Sequence, residues 1–204
     1  MKNTHVLGII FLIAIFIGCF ACESDNDSDA AEKFKAAVDL QNTGEIYQAI
    51  QLFDTISKDT RYMNTQYARD SKGRKQELET RSQRTIKAWN DFQDIDERLK
   101  SVSPLSDQFS QAARAYNLIN LDKVDELLTK HIHECISNYQ ELAKSSEDIE
   151  VRVEQAKRKR DTDELLRLGA EISEIIKRND EYNNIDKLLR ENLSKRYNVN
   201  LYDR

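Results

Sequence analysis

The sequence predicts an all-α protein: irregular antiparallel helical hairpins or a bundle, with long amphipathic helices. Two observations carry this expectation. Only 5 Gly and 1 Pro occur among 204 residues, so few positions interrupt a helix. From Ala30 onward, apolar residues recur at steps of three and four, the period of a helix that buries one face. With 33% of the chain charged, those helices have material for their solvent faces as well.

The first 22 residues, MKNTHVLGIIFLIAIFIGCFAC, stand apart. A short start with Lys2 and His5 precedes an apolar run from Val6 to Phe20, followed by small residues beside cysteines. The run has the length of a signal-peptide core and is short for a membrane span, which leaves an uncleaved anchor as the alternative. The acidic tract 23–29 is expected to be a flexible, solvated tether. Residues 30–204 are expected to form the helical domain.

A first helix over 30–42 would turn Phe34, Ala37, Val38 and Leu40 inward. Thr43-Gly44 breaks it, and a second begins near Glu45 with Ile46, Ala49, Ile50, Phe53 and Ile56, making an αα-hairpin. A long polar helix follows over 61–100, open to interruption at Ser71-Lys72-Gly73. Its second half carries the stripe Ile86, Trp89, Phe92, Ile95 and Leu99. Ser103-Pro104 marks the next start, leading to Phe109, Ala112, Ala113, Tyr116 and Ile119. From Asp122 the spacing of Leu128, Ile132, Cys135, Tyr139 and Leu142 predicts another helix. Ser145-Ser146 is expected to cap a short charged one through Val151 and Val153. Asp161 with Glu164 offers a capping box for a helix using Leu165, Leu168, Ile172, Ile175 and Ile176. The last, over 181–196, would use Tyr182, Ile185, Leu189 and Leu193.

Three junctions look alike: Leu40…Gly44…Ala49-Ile50, Leu118…Asp122…Leu127-Leu128 and Ala156…Arg160…Leu165-Leu166. The distances between them are unequal, so they predict irregular hairpins and no regular solenoid.

Chemistry-bearing patterns are sparse. His131 and Cys135 lie four apart on one helical face, with His133 pointing elsewhere. Two ligands are too few for structural zinc, so no metal site is expected, and Cys135 reads as part of the apolar seam. Lys157-Arg158-Lys159-Arg160 suits a helix C-terminus or anionic headgroups. Asp91, Asp94, Asp96 and Glu97 lack the glycine and closing glutamate of a calcium loop and read as a polar face. No phosphate loop, serine elbow or other catalytic set is recognisable, so no catalytic residue and no cofactor is expected. The net charge is −5; without the leader it is −6, from 30 basic and 36 acidic residues, which gives no reason to expect nucleic acid.

Two resemblances extend this reading. Cys22, preceded by Ala21, and alternatively Cys19, preceded by Gly18, resemble the lipid-modified cysteine of bacterial lipoproteins. The acids behind Cys22 resemble the surface-export signal of lipoproteins in the Bacteroidota. These likenesses imply acylation at Cys22 (or Cys19), attachment to the membrane through the lipid, and a place in the cell envelope. The outer membrane is implied, on its periplasmic or surface face. With Cys22 acylated, Cys135 would remain as a lone thiol; with Cys19 acylated, a Cys22–Cys135 bridge is conceivable.

Gly44, Ala49 and Phe53, with Ala36 or Ala37, resemble one tetratricopeptide repeat, although no Pro closes it. The hairpin is also similar to the first repeat of outer-membrane assembly lipoproteins. A peptide-binding groove is implied, and Tyr47, Tyr62 and Tyr67 are the candidate partner-binding residues. The expected function is a non-enzymatic, membrane-tethered protein-binding or scaffolding module. The alternative is a structural subunit of an envelope assembly or transport complex; a hydrolase with an unrecognised site is a third.

Overall fold

The computed structural model describes residues 25–99, 102 and 105–202, and within that span the side chains of all but 182–184. Among the described residues the chain is all helical, with six helices and no strand. They are α1 (25–43), α2 (Ile46–Lys58), α3 (Gln66–Leu99), α4 (Leu105–Tyr116), α5 (Glu126–Lys159) and α6 (Thr162–Tyr197). No described helix is long and apolar enough to cross a membrane. The chain divides into two compact units, Met1–Glu79 and Thr80–Arg204, with the division inside α3. The leader, with Cys19 and Cys22, and the Ser103-Pro104 start lie outside the described residues.

In the first unit, α1 begins earlier than the sequence suggests. Residues 25–29, read above as tether, are its first turns. Asp25, Asp27 and Asp29 there complement the positive end of the helix dipole. Asp29 is further fixed by the Tyr62 hydroxyl, which donates to it, and by Lys33 at 3.0 Å. Ala30, Ala37, Ile46, Ala49, Phe53 and Ile56 are buried, and the Phe34 ring packs edge-on against Phe53 at 5.5 Å. Gly44 closes α1 with φ 84°, a left-handed conformation that glycine adopts without strain. The Glu45 N–H reaches the Leu40 carbonyl at 2.9 Å and the Gly44 N–H reaches that of Gln41 at 3.2 Å, a Schellman closure. Thr65 caps α3 by accepting from the Ala68 N–H at 3.1 Å. The interruption left open at residues 71–73 does not occur: Ser71 and Leu78 are both buried, seven apart on one face, and a Cβ at Gly73 would meet open space.

In the second unit, α4 packs on α5 and α5 on α6. An aromatic ladder fills the core. Trp89 leans on Phe92 at 5.8 Å, Phe92 stacks on Tyr116 at 4.7 Å, Tyr116 stacks on Tyr139 at 5.7 Å, and Tyr139 stacks on Phe109 at 5.6 Å. Such offset rings bury large apolar areas and add a directional contribution to packing.

The helices α5 and α6 are longer than the sequence reading has them. Ser145-Ser146 caps nothing; α5 runs through it. Its buried residues Leu128, Ile132, Cys135, Tyr139, Leu142, Ser146 and Ile149 keep one alternating four–three phase, so burial of the seam outweighs the local capping preference. Ser145 bonds back to the Glu141 carbonyl at 3.1 Å, as a mid-helix serine does. The helices expected at 161 and 181 are likewise one, α6. Asp161 does cap it, accepting from the Glu164 N–H at 3.0 Å. Glu164 does not return the capping-box bond; it pairs with Arg152 and Arg167.

Asp125 ties the two long helices together at one end. It is 2% exposed and caps α5 by accepting from the Leu127 N–H at 2.9 Å. It also accepts from the Tyr197 hydroxyl at 2.7 Å and the Arg196 guanidinium at 2.9 Å, both in the last turn of α6. Its own N–H donates to the buried Thr85 hydroxyl at 2.9 Å.

Candidate functional site

The chemistry-bearing residues that the fold concentrates are His131, Cys135 and Asp186, all in the second unit. Helical spacing places His131 and Cys135 on one face of α5, one turn apart. Asp186 comes from α6, 55 residues beyond the histidine. The three residues are 6%, 3% and 8% exposed. His131 Nε2 stands 2.5 Å from Asp186 Oδ1 and 3.4 Å from Cys135 Sγ, and the three potential ligand atoms all lie within 4.8 Å of one another. With the carboxylate ionised it only accepts, and the imidazole then donates from Nε2. The edge of Phe92 meets the imidazole at 5.6 Å between centroids and closes one side.

The surroundings are electronegative. Burial pushes the Cys135 thiol well above its ordinary range, and Asp186, Glu134 and Asp96 add to the shift in that order. Tyr116 and Tyr139 are held protonated by burial first, with Asp96 and Asp186 contributing. A thiol so disposed is a protonated core residue and a poor nucleophile. The geometry also differs from a catalytic relay, in which sulfur and carboxylate engage opposite nitrogens of the imidazole. Here both engage Nε2. What the arrangement does offer is three convergent donors of different chemistry, S, N and O.

His131 and Cys135 are recognisable in the sequence by their spacing; the third member is not. Leu165, Leu168, Ile172 and Ile175 set a three–four phase that continues through Asn179, Tyr182, Asp186, Leu189 and Leu193. Asp186 therefore occupies a seam position. Ile185, assigned to the seam from its apolarity, is 45% exposed. The heptad counted back from Leu193 is the signal that reaches Asp186.

The tyrosine candidates are scattered in character. Tyr47 is exposed at 41%. Tyr67 is half-buried, with its ring against Phe34 at 5.6 Å. Tyr62 is fully buried, a core residue that cannot meet a partner as the sequence suggested. Its hydroxyl donates to Asp29 and receives Lys33 at 2.6 Å, with Lys33 and Arg61 over its ring at 5.0 Å each. Of the small helix-A position, Ala37 is buried and Ala36 exposed. The basic run 157–160 is exposed, with Lys157, Arg158 and Lys159 in the last turn of α5, where cations suit the dipole. No family model, curated protein or solved structure matches the chain.

Proposed function

We propose that this protein is a lipid-anchored, non-enzymatic helical module of the cell envelope that binds a protein partner. The observation that carries the proposal is the order of segments. An apolar leader ends in Ala21-Cys22, acids follow at once, and a helix with charged outer faces begins at residue 25. Acylation at Cys22, with Cys19 as the alternative, would hold the acidic start of α1 directly at the membrane surface. Several acyl chains together make such attachment effectively permanent. The outer membrane is the proposed address, on the likeness of the acidic tract to a surface-export signal. Binding of a protein is supported by Tyr47, which stays exposed beside the first hairpin, with Tyr67 partly so.

A second reading, a structural subunit whose helices pair with those of a partner, draws on α6. Ile185 and Leu188, three apart and so neighbours on the helix surface, are 45% and 66% exposed, and Leu166 is 72% exposed.

The decisive experiment is mass analysis of the N-terminal peptide from native membranes, in wild type, Cys22→Ser and Cys19→Ser. Acylation abolished by Cys22→Ser alone is the expected result. An intact, unacylated leader would overturn the lipid anchor. Photo-crosslinking from Tyr47 and, separately, from Leu188 then distinguishes the two binding readings by which position captures a protein.

A further inference from the structure

We propose that His131, Cys135 and Asp186 form a binding site for a divalent transition metal of the zinc type, bridging α5 and α6. The ligand atoms are already close to the required arrangement. Typical zinc bond lengths to N, O and S imply ligand–ligand separations of roughly 3.3 to 3.6 Å in a tetrahedron. Cys135 Sγ and His131 Nε2 are 3.4 Å apart, within that range. Asp186 Oδ1, at 2.5 Å from Nε2, must draw back by somewhat under about 1 Å. A rotation within its side chain supplies that movement. The metal then takes the place of the proton on Nε2, which passes to Nδ1 so that the imidazole stays neutral, and the thiol proton of Cys135 is released to solvent as the thiolate coordinates.

Charge and donor type both select this class of ion. One thiolate and one carboxylate balance a 2+ cation around a neutral imidazole, so the loaded site carries no net charge into the seam, where an uncompensated charge would be costly. The carboxylates of Asp96 and Glu134 make the surroundings more negative still. Mixed S, N and O donors suit zinc, whereas calcium and magnesium prefer oxygen shells. Three protein ligands leave the fourth corner to a water molecule.

The test uses the full-length chain carrying Cys19→Ser and Cys22→Ser, so that Cys135 is the remaining thiol. It is refolded in detergent under reducing conditions with cobalt(II) as the spectroscopic probe. The expected result is a thiolate-to-cobalt band in the near ultraviolet with intense visible bands of tetrahedral cobalt, saturating at one ion per chain and bleached by zinc. Asp186→Asn in this background should weaken cobalt binding at least about tenfold. His133→Gln, at an exposed residue outside the cluster, should leave the spectrum and affinity unchanged. A helical protein that shows no thiolate band with cobalt would overturn the proposal. So would a band whose affinity ignores Asp186→Asn, or one abolished by His133→Gln.

Discussion

Replacing Asp125 with Ala tests whether the fold of the second unit depends on the clasp between the start of α5 and the end of α6. The substitution removes three things at once. Loss of the cap on α5 costs about 1 kcal/mol. The Tyr197 hydroxyl, on a residue 4% exposed, loses a charge-assisted partner and stays buried, at about 1 to 2 kcal/mol. The Arg196 pair adds little, because that side chain is 25% exposed and water can replace the carboxylate. The sum is about 3 kcal/mol, a fall of about 1.5 M in the urea midpoint at a typical slope of roughly 2 kcal/mol per molar. Trp89, the one tryptophan, is 1% exposed in this unit, so its fluorescence reports the transition directly. Tyr197→Phe alone should cost about 1 kcal/mol, and the double variant should fall short of the sum of the singles by about 1 kcal/mol. A loss below about 1 kcal/mol for Asp125→Ala, or strict additivity with Tyr197→Phe, would refute the clasp.

Three further perturbations follow from the same reasoning. Arg160 closes α5 with φ 58°, so Arg160→Gly relieves a left-handed side chain and should raise stability by up to about 1 kcal/mol in thermal unfolding; no gain would mean the Arg160 side chain makes a compensating contact. Ser146 Oγ is buried without a hydrogen-bond partner, so Ser146→Ala should be neutral or stabilising by up to about 1 kcal/mol in the same urea titration; a loss would show that the hydroxyl is bonded. In the first unit, hydrogen bonds from Arg61 hold the Asp59 carboxyl down to about 2, the Tyr62 hydroxyl and then Lys33 lower Asp29, and Lys58 and then Lys75 lower Asp54, all from an ordinary 3.8. Because these folded values are depressed, the stabilisation is present above the unfolded value and is lost as pH falls through the folded ones. Protection of the α1 and α2 amides, taken as the exchange rate relative to the intrinsic rate at each pH, should therefore fall below about pH 4, and protection held constant down to about pH 2 would count against these pairs.

The all-helical class was legible because apolar spacing and scarce helix breakers act on every segment alike. The first hairpin was legible too: Gly44 is where the chain needs a positive φ, and Ile46, Ala49, Phe53 and Ile56 are buried as their spacing implies. Segment boundaries failed wherever a polar residue occupies a seam position. Ser146 reads locally as a cap, and Asn179 and Asp186 break the apolar run of α6, yet all three lie on phases set by their apolar neighbours. Tyr62 failed for a related reason. Its position beside a turn suggests exposure, whereas its ring is enclosed and its hydroxyl is satisfied by Asp29 and Lys33, contacts made only once α1 is in place.

The polar residues that hide the continuity of α5 and α6 also fix how those helices pair. The two-residue turn Arg160-Asp161 holds α5 and α6 near one register, and an apolar seam of alternating four–three steps alone discriminates only weakly against a slide of seven residues. His131 and Asp186 add to that selection. In the observed register the carboxylate meets the imidazole at 2.5 Å. A shift by one heptad would move Asp186 about 10 Å along the axis, leaving a buried carboxylate without its partner, at a cost of about 3 to 5 kcal/mol. The same shift would separate Asp125 from Tyr197 and Arg196 at the far end. The two polar contacts share no side chain, their members at the α5 side, Asp125 and His131, being six residues apart, and both are met in one and the same register. Substituting both His131 and Asp186 by Leu would preserve the apolar burial while deleting one of these demands, leaving register selection to the Asp125 clasp, the Arg160-Asp161 turn and the Arg152 pairs.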